Sequence, residues 1–150
     1  MEFLNIIIDR VDSTNVFNVL RGRMPSRESH LHSMMDNDLI QEYLLEIERL
    51  SKIGTSLTGQ ERDGIFDLTG NLRRMGESFF LQFFPSAVQE MLRSAENGFL
   101  FLHTDDQLRQ IPWELLHDGV CFLADKFYIG KNISGHWRDR QREERENLRV

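Results

Sequence analysis

The sequence predicts an α/β fold: a mixed sheet with helices packed on it and a β-hairpin at its N-terminus. Three observations predict it. Two β-branched runs, Phe3 to Ile8 and Asn15 to Leu20, flank the turn-forming Asp12-Ser13-Thr14-Asn15. Two longer stretches then carry apolar residues at helical threes and fours. A continuous apolar run, Phe99-Leu100-Phe101-Leu102, follows them. A run that is apolar at every position is the pattern of a strand covered on both faces, which implies a sheet with helices over it.

The elements follow in order. Phe3 to Ile8 and Asn15 to Leu20 form the hairpin, and Gly22 to Asp36, which has neither periodicity, reads as a surface loop. From Asp38, the positions Leu39, Ile40, Tyr43, Leu44, Ile47 and Leu50 share one helical face. Asp38 and Gln41 have capping-box spacing at its start, and Gly54 is its natural stop. A second stripe runs Ile65, Leu68, Leu72, Met75, Phe79 and Phe83, with Arg73 and Arg74 on the polar side. Gly64, Gly70 and Gly76 each cost about 0.5 to 1 kcal/mol against Ala inside a helix. Either they admit a close neighbour or the helix is broken.

Pro85 ends that helix, and Ser86 with Gln89 gives a second capping-box pair. It opens a short helix with Val88, Met91, Leu92 and Ala95 on one side, closed by Asn97-Gly98. After the apolar run, Pro112 to Leu116 reads as one helical turn closed by Asp118-Gly119, since Pro is suited to a first helical position. Short strands are expected at Val120 to Leu123 and Phe127 to Ile129. Beyond Ile133 the chain turns charged and mixed in sign, so residues 1–135 are expected as the domain and 136–150 as a linker, tail or solvated helix. Leu148-Arg149-Val150 reads as the first step of a further strand.

Composition narrows the function classes. A chain of 150 residues fits one domain, and at this size roughly 68 to 70% of the unfolded chain's surface is buried on folding. With 40% hydrophobic and 28% charged residues it falls in the globular range and outside the disordered one. A net charge of -6 argues against a nucleic-acid surface, which needs clustered excess Lys and Arg. The one cysteine, Cys121, allows no internal disulfide and fits a reducing cytoplasm. The N-terminus, with Glu2 and an apolar run cut by Asp9, does not have a signal peptide's pattern, and no run reaches the 18 or so apolar residues of a membrane span. Asn132-Ile133-Ser134 matches a glycosylation sequon, which without secretion is a chance match.

The most informative block is Gln110 to Lys131. Ile111, Pro112, Trp113, Glu114, Leu115 and Leu116 lead into Asp118-Gly119, then Phe122-Leu123, then Ile129 and Lys131. This order resembles the signature in the N-terminal half of CHAT-type, caspase-like cysteine peptidases. Phe83-Phe84-Pro85, the short helix and the Phe99 to Leu102 strand are similar as well, so the resemblance covers about Ile65 to Ile133. It implies an N-terminal, non-catalytic portion of a caspase-like CHAT domain, partnered by a C-terminal catalytic block in cis or in trans. The family's catalytic histidine, in a His-Gly element, and its nucleophilic cysteine lie further along than this chain extends. The chain is therefore expected not to be an enzyme by itself, but to complete the peptidase core or couple it to a regulator. The family usually has Arg where Lys131 stands, and Lys keeps the charge but loses the planar fork. The alternative is a stand-alone protein–protein interaction module that keeps the scaffold without protease chemistry. Unpaired strand edges and exposed apolar area would then invite self-association.

No residue is expected to be catalytic, cofactor-binding or metal-ligating. His117 and Cys121 are types from which a thiolate and its base are built, but a cysteine between Val120 and Phe122 reads as a small core residue. His30 and His32 with Asp36 and Asp38 are possible metal ligands without a matching second pair, so a polar loop is the simpler reading. His103-Thr104-Asp105-Asp106 reads as a strand end entering a turn, and Gly54 to Gly76 contains no phosphate-loop spacing. Glu114, between Trp113 and Leu115, risks burial and needs a cation, for which Lys131 or a nearby arginine is expected. The structural signature residues are Pro112, Trp113, Glu114, Leu115, Leu116, Asp118, Gly119, Phe122, Leu123 and Lys131.

Overall fold

The computed structural model describes residues 1–22, 24–25, 31–34, 37–56 and 62–133. The charged tail and the strand-like Leu148-Arg149-Val150 lie outside them. The fold class is α/β, as the sequence predicts. Strands β1 (Glu2–Val11) and β2 (Thr14–Arg21) form the hairpin, closed by a two-residue turn in which Asp12 takes φ 55°. Such turns need a residue that tolerates the left-handed region, and Asp does. The segment expected to be a loop contributes two short strands, β3 (Met24–Pro25) and β4 (Leu31–Met34), both antiparallel to β2. Backbone pairing along β2 needs no side-chain periodicity, which is why a pattern search passes over them.

Helices α1 (Asn37–Ser56), α2 (Arg62–Phe83) and α3 (Ser86–Ser94) then lead to β5 (Gly98–Thr104). α1 starts one residue before Asp38 and runs through Gly54, so the expected start and stop are both displaced. α2 is continuous through its glycines. α4 (Asp106–Arg109), a 3-10 turn (Trp113–Leu115) and α5 (Leu123–Lys126) connect β5 to β6 (Phe127–Ile133). Along the sheet the order is β3, β2, β1, β5, β6, with β4 also on β2. β1, β5 and β6 run parallel.

The core is one cluster. Leu4, Ile6 and Ile8 of β1, Phe17 and Val19 of β2, Leu100 and Leu102 of β5 and Phe127 of β6 present one sheet face to Ile40, Tyr43, Phe79, Phe80, Phe83, Val88, Leu92, Leu108, Trp113 and Leu123. Phe83 and Phe84 pack against both Phe17 and Trp113 at centroid separations of 5.6 to 6.0 Å, joining hairpin, helix and signature turn. Fully burying each such ring contributes on the order of 1.5 to 3 kcal/mol.

Two further features differ from the sequence expectation. β5 is not covered on both faces: burial alternates along it, with Leu100 and Leu102 inside and Phe101 exposed. Its apolar run has two different environments, and aromatic residues on the open side disguise the period of two. The Ser86/Gln89 capping box is also absent, since α3 is capped at Pro85 without a side-chain bond. Gln89 is buried and its Nε2 donates instead to the carbonyls of Phe84 (2.8 Å) and Leu81 (3.0 Å). Those carbonyls end α2 with no next turn to receive them, and a buried acceptor left unpaired costs more than a missing cap.

Candidate functional site: the signature block and the open sheet face

The signature block is built into the core. Ile111, Trp113, Leu116 and Leu123 are fully buried, and Leu123 N–H donates to Leu116 O (2.8 Å), bringing the two ends of the block together. Behind it, α2 presents Gly76: a Cβ there would stand 2.2 Å from Leu115 O and 3.2 Å from His117 N. That glycine admits the close neighbour considered from sequence, whereas Gly70 has nothing within 4 Å. The block is also tied to α3. Arg93 Nε donates to Asp118 O (2.9 Å), and Lys126 Nζ donates to Leu92 O (2.7 Å) and Arg93 O (2.8 Å) at the end of α3, where carbonyls need donors.

Asp118 organises the turn. Its buried Oδ1 accepts from the backbone N–H of Val120 (2.8 Å) and of Cys121 (2.9 Å), while its own N–H donates to Cys121 O (3.1 Å). Those bonds replace a strand ladder, so the strand expected at Val120 to Leu123 is a turn followed by α5. A single bridge between His117 and Phe122 is what remains of it.

This geometry opposes nucleophilic chemistry at Cys121. Burial pushes the thiol's pKa up, and the Asp118 carboxylate nearby pushes it further, so the thiolate is disfavoured. His117 is buried, its Nδ1 accepts from Gly119 N–H (3.0 Å), and its ring stands edge-on to Phe122. The imidazole is engaged within the turn and makes no bond to the sulfur among those present.

Glu114 and Lys131 meet: Lys131 Nζ lies 2.9 Å from Glu114 Oε1 and 3.0 Å from Oε2. The Glu114 side chain is 43% exposed, so the burial that motivated a partner is only partial. Near it, the Tyr43 hydroxyl has its pKa pushed up by burial and then by the Glu114 charge, and its ring stacks on Phe79 at 4.5 Å. At the ends of β1 and β5, Arg10 reaches Asp105 (3.2 Å) and Gln107 (2.7 Å), while Asp105 caps α4 through Leu108 N–H (2.8 Å). The strand end entering a turn at His103 to Asp106 is thus as read from sequence.

The feature that sequence reading missed is the other side of the sheet. The strand registers set its outward residues in rows. Phe3, Phe99 and Tyr128 form one row across β1, β5 and β6, and Leu20, Asn5, Phe101 and Gly130 form the next. Ile7, His103 and Asn132 follow. Phe3 stacks on Phe99 at 5.1 Å, Phe99 meets Tyr128 at 5.3 Å, and Phe101 lies parallel to Phe99 at 6.3 Å. A Cβ on Gly130 would come within 2.7 Å of the Phe101 ring, so the glycine is the seat on which that ring rests. Phe3 (48% exposed), Phe101 (38%) and Tyr128 (72%) remain open to solvent. The signal available in sequence was the alternation Phe99, Phe101 with Phe3 and Tyr128 in register, which needs the strand pairing to be known.

Among the described residues no group of three or more His, Cys, Asp or Glu is placed to hold a metal ion, and His30, Asp36 and the side chain of His32 from the weighed set lie outside what is described. No described helix is long and apolar enough to cross a membrane. No protein-family profile, curated protein sequence or solved structure matches the chain.

Proposed function

We propose that the chain is the non-catalytic scaffold portion of a CHAT-type, caspase-like cysteine peptidase, and that a C-terminal catalytic block, in cis or in trans, completes its sheet. One observation carries this reading. The parallel side of the sheet ends at β6, a seven-residue strand that pairs with β5 on one side and with no strand on the other among the described residues. Parallel strands are normally interior strands of a covered sheet, and an unpaired edge is a template for another strand. The signature block lies immediately behind that edge, with Trp113 fully buried and Lys131 of β6 paired to Glu114. The block supports β6, and burial followed by the Asp118 carboxylate raises the pKa of its thiol, which disfavours the thiolate a nucleophile needs. A cytoplasmic setting and a role in coupling the peptidase to a regulator belong to the same reading.

The test is to add a candidate catalytic block to the purified chain. A rise in melting temperature and the appearance of peptide hydrolysis only in the mixture support the proposal. Hydrolysis of a peptide library by the chain alone, lost on Cys121→Ser, overturns it. The second reading, a stand-alone interaction module, is favoured by the exposed aromatic rows, and a chain whose stability no added block changes would support it.

A further inference from the structure

We propose that the open sheet face binds a second copy of this chain, face to face, through the row Phe3, Phe99, Tyr128 and the adjoining Phe101. The inference rests on the fold alone and does not require the peptidase reading.

The connections from β1 to β5 and from β5 to β6 step in the same direction across the sheet and pack on the same side, as one continuous core. Crossovers between parallel strands are right-handed in about 98% of cases. A further parallel strand added outside β6 would take the same step, and its helix would land on the side already covered. One such strand outside β6 therefore puts no helix over the aromatic rows.

The chain carries a net charge of -6, yet the described outward residues of the two aromatic rows, Phe3, Phe99, Tyr128, Leu20, Asn5 and Phe101, include no charged side chain. Among the described residues of β1, β5 and β6, Asp9 and His103 are the acidic and basic groups facing that way, both beyond these rows. A strongly basic or acidic partner would find nothing to pair with in these two rows, whereas two copies can meet there without juxtaposing like charges.

A two-fold axis along β5 lays Tyr128 of each copy over Phe3 of the other, an isologous arrangement that closes at two subunits. Phe3, Phe101 and Tyr128, at 48%, 38% and 72% exposure, present about 300 Å² between them when a whole aromatic side chain is taken as roughly 200 Å². A standard interface covers about 800 Å² per partner, so the rings form the apolar centre of a modest interface and the dimer is concentration-dependent.

Sedimentation equilibrium of the full chain across micromolar concentrations tests this, with Phe3→Glu and Tyr128→Glu as variants. The expected result is a monomer–dimer equilibrium weakened by about tenfold or more in each variant, as for charge placed at an interface centre. Should either variant lose its folded circular-dichroism spectrum, Tyr128→Ser carries the test, since Tyr128 is largely exposed. A wild-type monomer at every concentration overturns the proposal. So does a dimer insensitive to Phe3→Glu, because Phe3 lies two strands from the β6 edge and such a dimer would be pairing edge to edge.

Discussion

Replacing Gly76 by alanine sets two physical effects against each other. In a helix interior alanine is favoured over glycine by about 0.5 to 1 kcal/mol, so propensity alone predicts a more stable protein. The packing predicts the reverse. The added Cβ would stand 2.2 Å from Leu115 O, a backbone atom in the signature turn that has no rotamer by which to move aside. Relief requires shifting α2 or the turn, and overpacking of this kind costs about 1 to 3 kcal/mol. A backbone obstacle belongs at the upper end, so after subtracting the propensity gain the net loss is about 2 kcal/mol. For a chain of this length that is a fall in melting temperature of about 4 to 8 °C. Gly70→Ala is the internal control, in the same helix with nothing within 4 Å of its Cβ. It should gain about 0.5 to 1 kcal/mol, raising the melting temperature by about 1 to 4 °C. Thermal unfolding by circular dichroism, with both variants beside the wild type, reads the difference. Equal shifts for the two variants would refute the claim that Gly76 is the seat of the signature turn.

Asp118→Ala should cost about 1 to 3 kcal/mol in urea unfolding, because two backbone N–H groups lose their acceptor, while Asp118→Asn, which keeps an acceptor oxygen, should cost less. Asp118→Asn should also speed alkylation of Cys121 at a fixed pH near neutrality, since removing the carboxylate charge lowers the thiol pKa that burial and Asp118 raise. Burial lowers the pKa of His103, so the unfolded chain takes up its proton at higher pH than the folded chain does. That contribution to stability is present above the ordinary imidazole pKa and is lost as pH falls through the folded value; His103→Gln should flatten this segment of the stability–pH curve. A double-mutant cycle on Glu114 and Lys131 should return a coupling of about 0.2 to 1 kcal/mol, the range for a partly exposed pair, and zero coupling would remove the pair from the account.

The hairpin, the two long helices and the Pro112 turn were legible because each has a local cause: β-branched runs about Asp12, apolar threes and fours, and a proline at a permitted site. The Glu114–Lys131 pair was legible because a carboxylate beside tryptophan calls for a cation. What escaped the sequence depends on partners far along the chain. β3 and β4 exist through pairing with β2, and Gln89 turned from a capping residue into a donor for α2 because of where α2 ends. The turn at Val120 to Phe122 follows from the Asp118 side chain capturing N–H groups that a strand would have used. The open face was hidden for the opposite reason. Phe99 and Phe101 lie on the open face and Leu100 and Leu102 on the core face, and a hydropathy pattern does not separate an aromatic outward row from a buried strand.

Hydrogen–deuterium exchange at the amides of β6, with and without a candidate catalytic block, tests the central claim most directly. Phe127 to Lys131 should gain protection when the block binds, as an edge acquires a neighbouring strand. Unchanged exchange across β6, in a mixture that has nevertheless become proteolytically active, would contradict it.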